Sequence, residues 1–219
     1  NRIYSDLIKP HLSKWKDLLL QNAITPIQQY AYTTGKNATD SAMIIDAMDI
    51  LYSEKVSGFC LVSSDSDFTK LATRLREAGM QVIGIGEKKT PNPFIVACDK
   101  FIYIEIIRNQ SERKEDLNSK DKTKESIDKI TPKVIKLISS TISDLSDEDG
   151  WAFLGDVGSL LQKKQPNFDS RNYGFEKLTP LIKSTGHFDI EQRDHSKSKN
   201  KLIFVKNKEK QKPKPKAKK

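Results

Sequence analysis

Cysteine and histidine are scarce in this chain. Its two cysteines, Cys60 and Cys98, stand in apolar segments with no CxxC pair and no Cys/His spacing of a zinc site. That argues against a disulfide framework and a structural zinc, and leaves buried free thiols in a reducing, cytoplasmic setting as the expectation. The three histidines are scattered, His11 in a predicted helix and His187 and His195 near a predicted wing, so no histidine base or zinc site is supported. Long apolar runs are missing as well. None approaches the roughly 18 residues a membrane helix needs, so no membrane partner is expected. The start, Asn1-Arg2-Ile3-Tyr4-Ser5-Asp6, has neither an initiator Met nor the make-up of a signal peptide, and a fragment of a longer chain is one reading of it. Gly84-Ile85-Gly86 lacks the rest of a dinucleotide fingerprint and reads as the end of a strand.

What is abundant is charge, and it is uneven. The formal net charge is +9 over 219 residues. From Lys197 to Lys219 there are eleven lysines and one acid, Glu209, a local charge of 11 − 1 = +10. Everything before it sums to 9 − 10 = −1. Basicity belongs to an appendage, which can hold phosphate backbones by counterion release without choosing sequence, or can act as a solubilising disordered end.

The stretch Val62-Ser63-Ser64-Asp65-Ser66-Asp67-Phe68 organises the rest. Apolar, β-prone Gly58 to Val62 precedes it. Phe68, Leu71, Ala72 and Leu75 follow at helical spacing, and Gly79 ends the run. Two carboxylates and several serines therefore sit at a strand-to-helix turn, and in open α/β sheets ligands bind at that edge. One Asp would serve as a helix cap; two flanking a Ser exceed what a cap needs.

Around this turn, strands and helices alternate. Arg2-Ile3-Tyr4 reads as a strand end, Pro10 opens a helix with Leu12, Trp15, Leu18 and Leu19, and 27–32 alternates as a strand. Residues 34–38 form a polar loop. Thr39-Asp40 begins a helix with Met43, Ile44, Ala47, Ile50 and Leu51 on one face. Gln81 to Ile85 is a buried strand, Pro91 and Pro93 mark a loop before a helix near Phe94 to Cys98, and Phe101 to Ile104 is a last strand. This alternation predicts a parallel sheet covered on both faces. Residues 108–129 are charged and aperiodic and read as a linker. A second unit follows over 130–206. Its helices are predicted after Thr131-Pro132, over Trp151 to Leu161 and over Tyr173 to Ser184, ahead of two β-like pieces at 188–190 and 202–205. Three helices and a two-stranded ribbon are the layout of a small winged helix. Residues 207–219 are a Lys-rich tail.

Asp40 begins one helix, and Asp65 and Asp67 stand at the next strand-to-helix turn. In a parallel sheet these loops emerge on one edge. Carboxylates brought together repel one another, and hard cations such as Mg²⁺ (or Mn²⁺) relieve that repulsion. A metal so held makes a bound water nucleophilic and neutralises charge growing on a phosphate. Lys36 could neutralise phosphate, and Ser63, Ser64 and Ser66 could hydrogen-bond phosphate or the carboxylates. Asp46 lies six residues beyond Asp40, about 240° around a helix, and is at most a second-rank candidate. Asp49 reads as solvated surface.

These residues carry a resemblance. "KNATDSAMIIDAMDILYS", "GFCLVSSDSDFTKLATRLREAGMQVIGIGE" and "PFIVACDKFIYIE" resemble the NYN domain, a bacterial branch of the PIN-like nuclease superfamily that includes the LabA-like proteins. The resemblance spans about residues 1–107 and implies a Rossmann-like sheet and metal-dependent RNA cleavage. It makes Asp40 and Asp65 core metal-site carboxylates, with Asp67 beside them. NYN domains open with a strand ending in a further Asp, and nothing before Asn1 supplies it. Either the first strand lies outside this sequence or the domain does not cut. "FDSRNYGFEKLTPLIKSTGHFDI", preceded by "GWAFLGDVGSLLQKKQPNF", resembles the OST-HTH or LOTUS domain, a winged helix associated with RNA. Arg171, Asn172, Tyr173 and Lys177 begin its third helix and are the RNA-contact candidates, with core packing the other reading of Tyr173. The expectation is a metal-dependent endoribonuclease acting on single-stranded or structured RNA in processing or decay, with room for a homodimer. Its rival is a non-catalytic RNA-binding regulator with a degenerate nuclease fold. A DNA-binding transcription factor ranks last, resting on winged-helix shape alone.

Overall fold

The structure is a computed structural model. It describes residues 1–5, 15–29, 38–108, 127–194 and 201–208. Lys36 and its polar loop, the start of the first predicted helix, most of the charged linker and the Lys-rich tail lie outside these residues.

The first unit is built from parallel strands. β1 (Arg2–Ser5) and β2 (Thr25–Gln28) form one pair, with α1 (Trp15–Gln21) between them in sequence. β2 begins at Thr25, two residues before the predicted start. After it come α2 (Ala38–Tyr52), β3 (Gly58–Val62), a 3-10 turn (Ser66–Phe68), α3 (Thr69–Glu77), β4 (Gln81–Gly86), α4 (Asn92–Ala97) and β5 (Lys100–Tyr103). β3, β4 and β5 pair in that order, all parallel. Among the described residues no ladder joins β1 to β3, so the sheet is in two pieces. The second unit holds α5 (Pro132–Leu145), β6 (Trp151–Phe153), α6 (Leu154–Lys164), a 3-10 turn (Ser170–Tyr173), α7 (Leu178–Thr185), β7 (Phe188–Asp194) and β8 (Lys201–Asn207). Its strands pair antiparallel in the order β6-β8-β7. The expected α/β fold with a small winged helix is what the chain adopts.

Hydrophobic spacing dictates the first core. On α2, Ala47 and Leu51 are buried and Met43, Ile44 and Met48 pack against them, a stripe at i, i+4 and i+8. Met48 takes the place the sequence suggested for Ile50. α2 closes where Glu54 enters the left-handed region (φ 54°), and α3 ends at Gly79 (φ +81°). On the sheet, Leu61, Val82, Phe101 and Tyr103 share the buried face. Cys60, Val62, Ile83, Ile85 and Ile102 alternate onto the opposite face, where Cys60 and Val62 are exposed. Parallel sheets normally bury both faces; here one remains partly open. The expectation of two buried thiols is corrected at Cys60. Cys98 is buried beneath Gly84, and burial pushes its thiol up to about 11.

The second core joins Ile138 and Ile142 of α5, Val157 and Leu161 of α6, and Leu181 and Ile182 of α7 to Ala152, Phe188 and Val205 of the sheet. Two details differ from the sequence expectation. Residues 151–153 form a strand rather than the start of a helix, because Trp151 and Phe153 face outward while Ala152 packs inward, a period of two. The predicted helix from Tyr173 is two pieces, broken at Gly174 (φ +83°), whose left-handed conformation ends the 3-10 turn.

The two units touch along the outer edge of β5. The Phe101 N–H donates to the Pro166 carbonyl at 2.8 Å, and Asn167 Nδ2 donates to the Tyr103 hydroxyl at 2.7 Å. Lys88 pairs with Asp128 at 2.8 Å, and the Asp128 N–H donates to the Asn172 carbonyl. Pro166 and Asn172 are buried in this seam.

Candidate functional site

The β3 ladder runs one residue past the strand. The Ser63 N–H donates to the Ile85 carbonyl at 2.9 Å. The chain then turns. Ser63 Oγ accepts from the Asp65 N–H at 3.1 Å, and Asp65 Oδ1 accepts from the Asp67 N–H at 2.9 Å, capping the 3-10 turn. Ser64 Oγ accepts from the Glu87 N–H at 2.9 Å and ties the turn to the end of β4. Gly86 makes this approach feasible, since a Cβ there would lie 2.5 Å from the Ser63 carbonyl oxygen. Phe68 is buried and anchors the turn from below, leaving Asp65, Ser66 and Asp67 exposed.

Asp40 stands in the first turn of α2, half-buried. Its carboxyl is pushed above its ordinary value by burial first, and then by the negative charges of Asp65 and Asp67. The structure therefore brings three carboxylates from two successive connections within electrostatic reach, and among the described residues no cation acts on Asp40 against them. Chemically, this all-oxygen, negative donor set fits a hard divalent cation. Among the described residues, no group of three or more His, Cys, Asp or Glu side chains is drawn tightly enough to grip an ion.

The remaining carboxylates of α2 separate cleanly. Asp46 accepts hydrogen bonds from Arg2 and Tyr4 of β1. Burial pushes its carboxyl up, but those bonds and the Arg2 charge outweigh it and hold it below its ordinary value. Asp46 thus fastens α2 to β1. Asp49 is exposed.

The winged-helix candidates divide in a way sequence did not show. Asn172 is buried, 5% exposed, and its Nδ2 donates to the Asn167 carbonyl at 2.9 Å. It anchors the interdomain loop and is withdrawn from any groove. Arg171 forks onto Asp169, with Nε at 2.9 Å and Nη2 at 2.6 Å. Burial pushes Asp169 up, and the Arg171 bonds more than reverse that. Tyr173 is half-buried beside Phe168, ring centroids 6.1 Å apart, and burial raises its hydroxyl pKa, with Asp128 and Tyr103 adding to the effect. Core packing, the alternative reading of Tyr173, is what its surroundings describe. Lys177 is exposed and precedes α7. A cleft of about 310 Å³ between α6 and the Ser170 turn is lined by Gly155, Gly158, Ser159, Gln162, Asp169 and Leu178 among others.

A parallel α/β sheet with carboxylates converging at the carboxyl ends of its strands, followed by a winged helix, defines a nuclease-type domain joined to a nucleic-acid-type module. Comparison with known families agrees: the NYN domain matches residues 1–105 and the OST-HTH/LOTUS domain matches residues 125–199. The two matches describe a domain of the PIN-like nuclease superfamily followed by an OST-HTH/LOTUS domain. A solution NMR structure of an uncharacterized protein from Nitrosomonas europaea is similar at 33% identity, covering 43% of this chain and 89% of its own, with a TM-score of 0.35. No curated protein matches the chain.

Proposed function

We propose that the chain is a metal-dependent endoribonuclease whose NYN unit (1–107) cuts RNA held by the OST-HTH unit (130–206) and the Lys-rich tail. The observation that supports this is the convergence of Asp40, Asp65 and Asp67, with Asp40 feeling both other charges. Asp40 and Asp65 would hold Mg²⁺ or Mn²⁺, with Asp67 adjoining. When bound, such a cation neutralises charge developing on a phosphate and makes water more acidic. The protein's own part is positional. Capping by Asp65 and the Ser64–Glu87 tether hold the turn rigid, so the carboxylates meet a phosphate in a preset arrangement. Ser66 is exposed beside them and can donate to a phosphate oxygen.

Asp40→Asn and Asp65→Asn keep shape and remove charge. In the full-length protein each should abolish Mg²⁺- or Mn²⁺-dependent cleavage of single-stranded RNA while RNA binding persists, and Asp49→Asn should do little. EDTA-resistant cleavage by Asp65→Asn would rule the mechanism out. That the described residues hold no tightly gathered set of three ligands leaves room for one second reading, a binding-only regulator. It becomes the reading of choice if the wild type cuts no RNA with any metal.

A further inference from the structure

The winged-helix sheet has an outer face that its own core does not use. Register places Trp151 beside Lys206 and Asp189, and Phe153 beside Phe204 and Glu191; Leu202 and Arg193 form the next row. The opposite face, with Ala152, Val205, Phe188 and Ile190, packs on the helices. A solvent-side sheet face is ordinarily polar. This one carries three aromatic rings, none of them fully buried. Phe153 and Phe204 lie 5.9 Å apart, centroid to centroid, and the Arg193 guanidinium lies 4.4 Å over Phe204 and 5.4 Å from Trp151.

We infer that this face is a stacking platform for unpaired bases of single-stranded RNA. The inference rests on the RNA-binding part of the proposed function and assigns it a surface. Rings and a guanidinium plane bind any base through its π-face, and phosphates need cations nearby. Both are present. The acids on the face are already answered: Glu191 pairs with Arg193 at 3.2 Å, and Asp189 lies 3.9 Å from Lys208. Lys206 reaches the Asp149 carbonyl at 2.7 Å. Beyond the face, the connection between β7 and β8 contains Lys197 and Lys199, and the chain after β8 contains seven lysines against Glu209. Rings, a guanidinium plane and the Lys206 ammonium on one face match a polyanion with stackable side groups. In the turn before α7, by contrast, Arg171 and Asn172 are committed to structural bonds.

The chain has two tryptophans, Trp15 and Trp151, so Trp15→Phe leaves Trp151 as the sole reporter. The experiment titrates this full-length variant, in EDTA to prevent cleavage, with a 12-nucleotide oligoadenylate and with an abasic strand of equal length. Oligoadenylate should quench Trp151 and bind roughly tenfold more tightly than the abasic strand. Phe204→Leu, which removes a ring, and Arg193→Lys, which keeps the charge beside Glu191 and loses the guanidinium plane, should each remove most of that difference while leaving abasic binding unchanged. Trp151→Leu, read by fluorescence anisotropy of a labelled strand, should do the same. Equal affinity for the two strands, with Trp151 silent, means that the lysines hold RNA alone and overturns the platform only. Base-dependent binding that survives all three variants also overturns it, and points to another surface. Failure to bind either strand sinks the proposed function itself.

Discussion

Asp40 is held above its ordinary value of 3.8 by burial and by two like charges. The sign of its effect on stability follows. The folded chain keeps this proton more tightly than the unfolded chain does, so the stabilising contribution is whole below the ordinary value. It is lost as pH rises through the raised one. Stability of the metal-free protein should therefore fall across that window. Asp65→Asn should narrow the window by lowering the Asp40 pKa, which carboxyl NMR titration would measure directly. Asn still caps, so the variant should be neutral or slightly stabilising without metal. An unmoved Asp40 titration would mean that the Asp65 charge has no part in raising it. The carboxylates were legible in sequence because two Asp flanking a Ser exceed a capping need. Asn172 was not, since its partners are the Asn167 carbonyl and Asp128, the latter on a segment 44 residues away in the chain. A polar residue near a helix start looks the same from sequence whether it faces water or a seam.

At the scale of elements, β4 shows how closely the sheet is packed. A Cβ at Gly84 would lie 2.5 Å from the Phe101 ring and 2.8 Å from Cys98 Sγ. Gly84→Ala should cost about 1–3 kcal/mol as overpacking, seen as a lower urea midpoint at unchanged slope. A loss below about 0.5 kcal/mol would show that the ring and thiol yield freely. The elements of the first unit were legible because buried parallel strands and amphipathic helices repeat with clear periods. Those of the second unit were less so. Trp151-Ala152-Phe153 is too short to reveal a period of two, and it leads straight into the helix beginning at Leu154. Gly174, two residues into the predicted third helix, was the available signal that this helix is split.

At the scale of the whole molecule, charge is segregated. The chain up to Ser196 sums to −1, and the remainder to +10. Deleting 207–219 should weaken RNA binding and flatten its dependence on salt, because fewer phosphate contacts release fewer counterions. A salt slope equal to that of the full chain would assign the electrostatics to the folded units instead. No helix among the described residues is long and apolar enough to cross a membrane. The division into two cores was visible in sequence as a change of pattern across the charged stretch. Their seam was not, because it rests on single polar contacts between residues 40 or more positions apart.

That seam has a further consequence. β5 ends its sheet, and a bare strand edge is a template on which another chain can polymerise. The Phe101 N–H on that edge is taken by the carbonyl of Pro166, a residue with no N–H to give back. The second unit thus occupies the edge without extending the ladder, as a stopper rather than a strand. Detached from its partner, the first unit would present an open edge, and the winged helix acts for it as a built-in guard against aggregation.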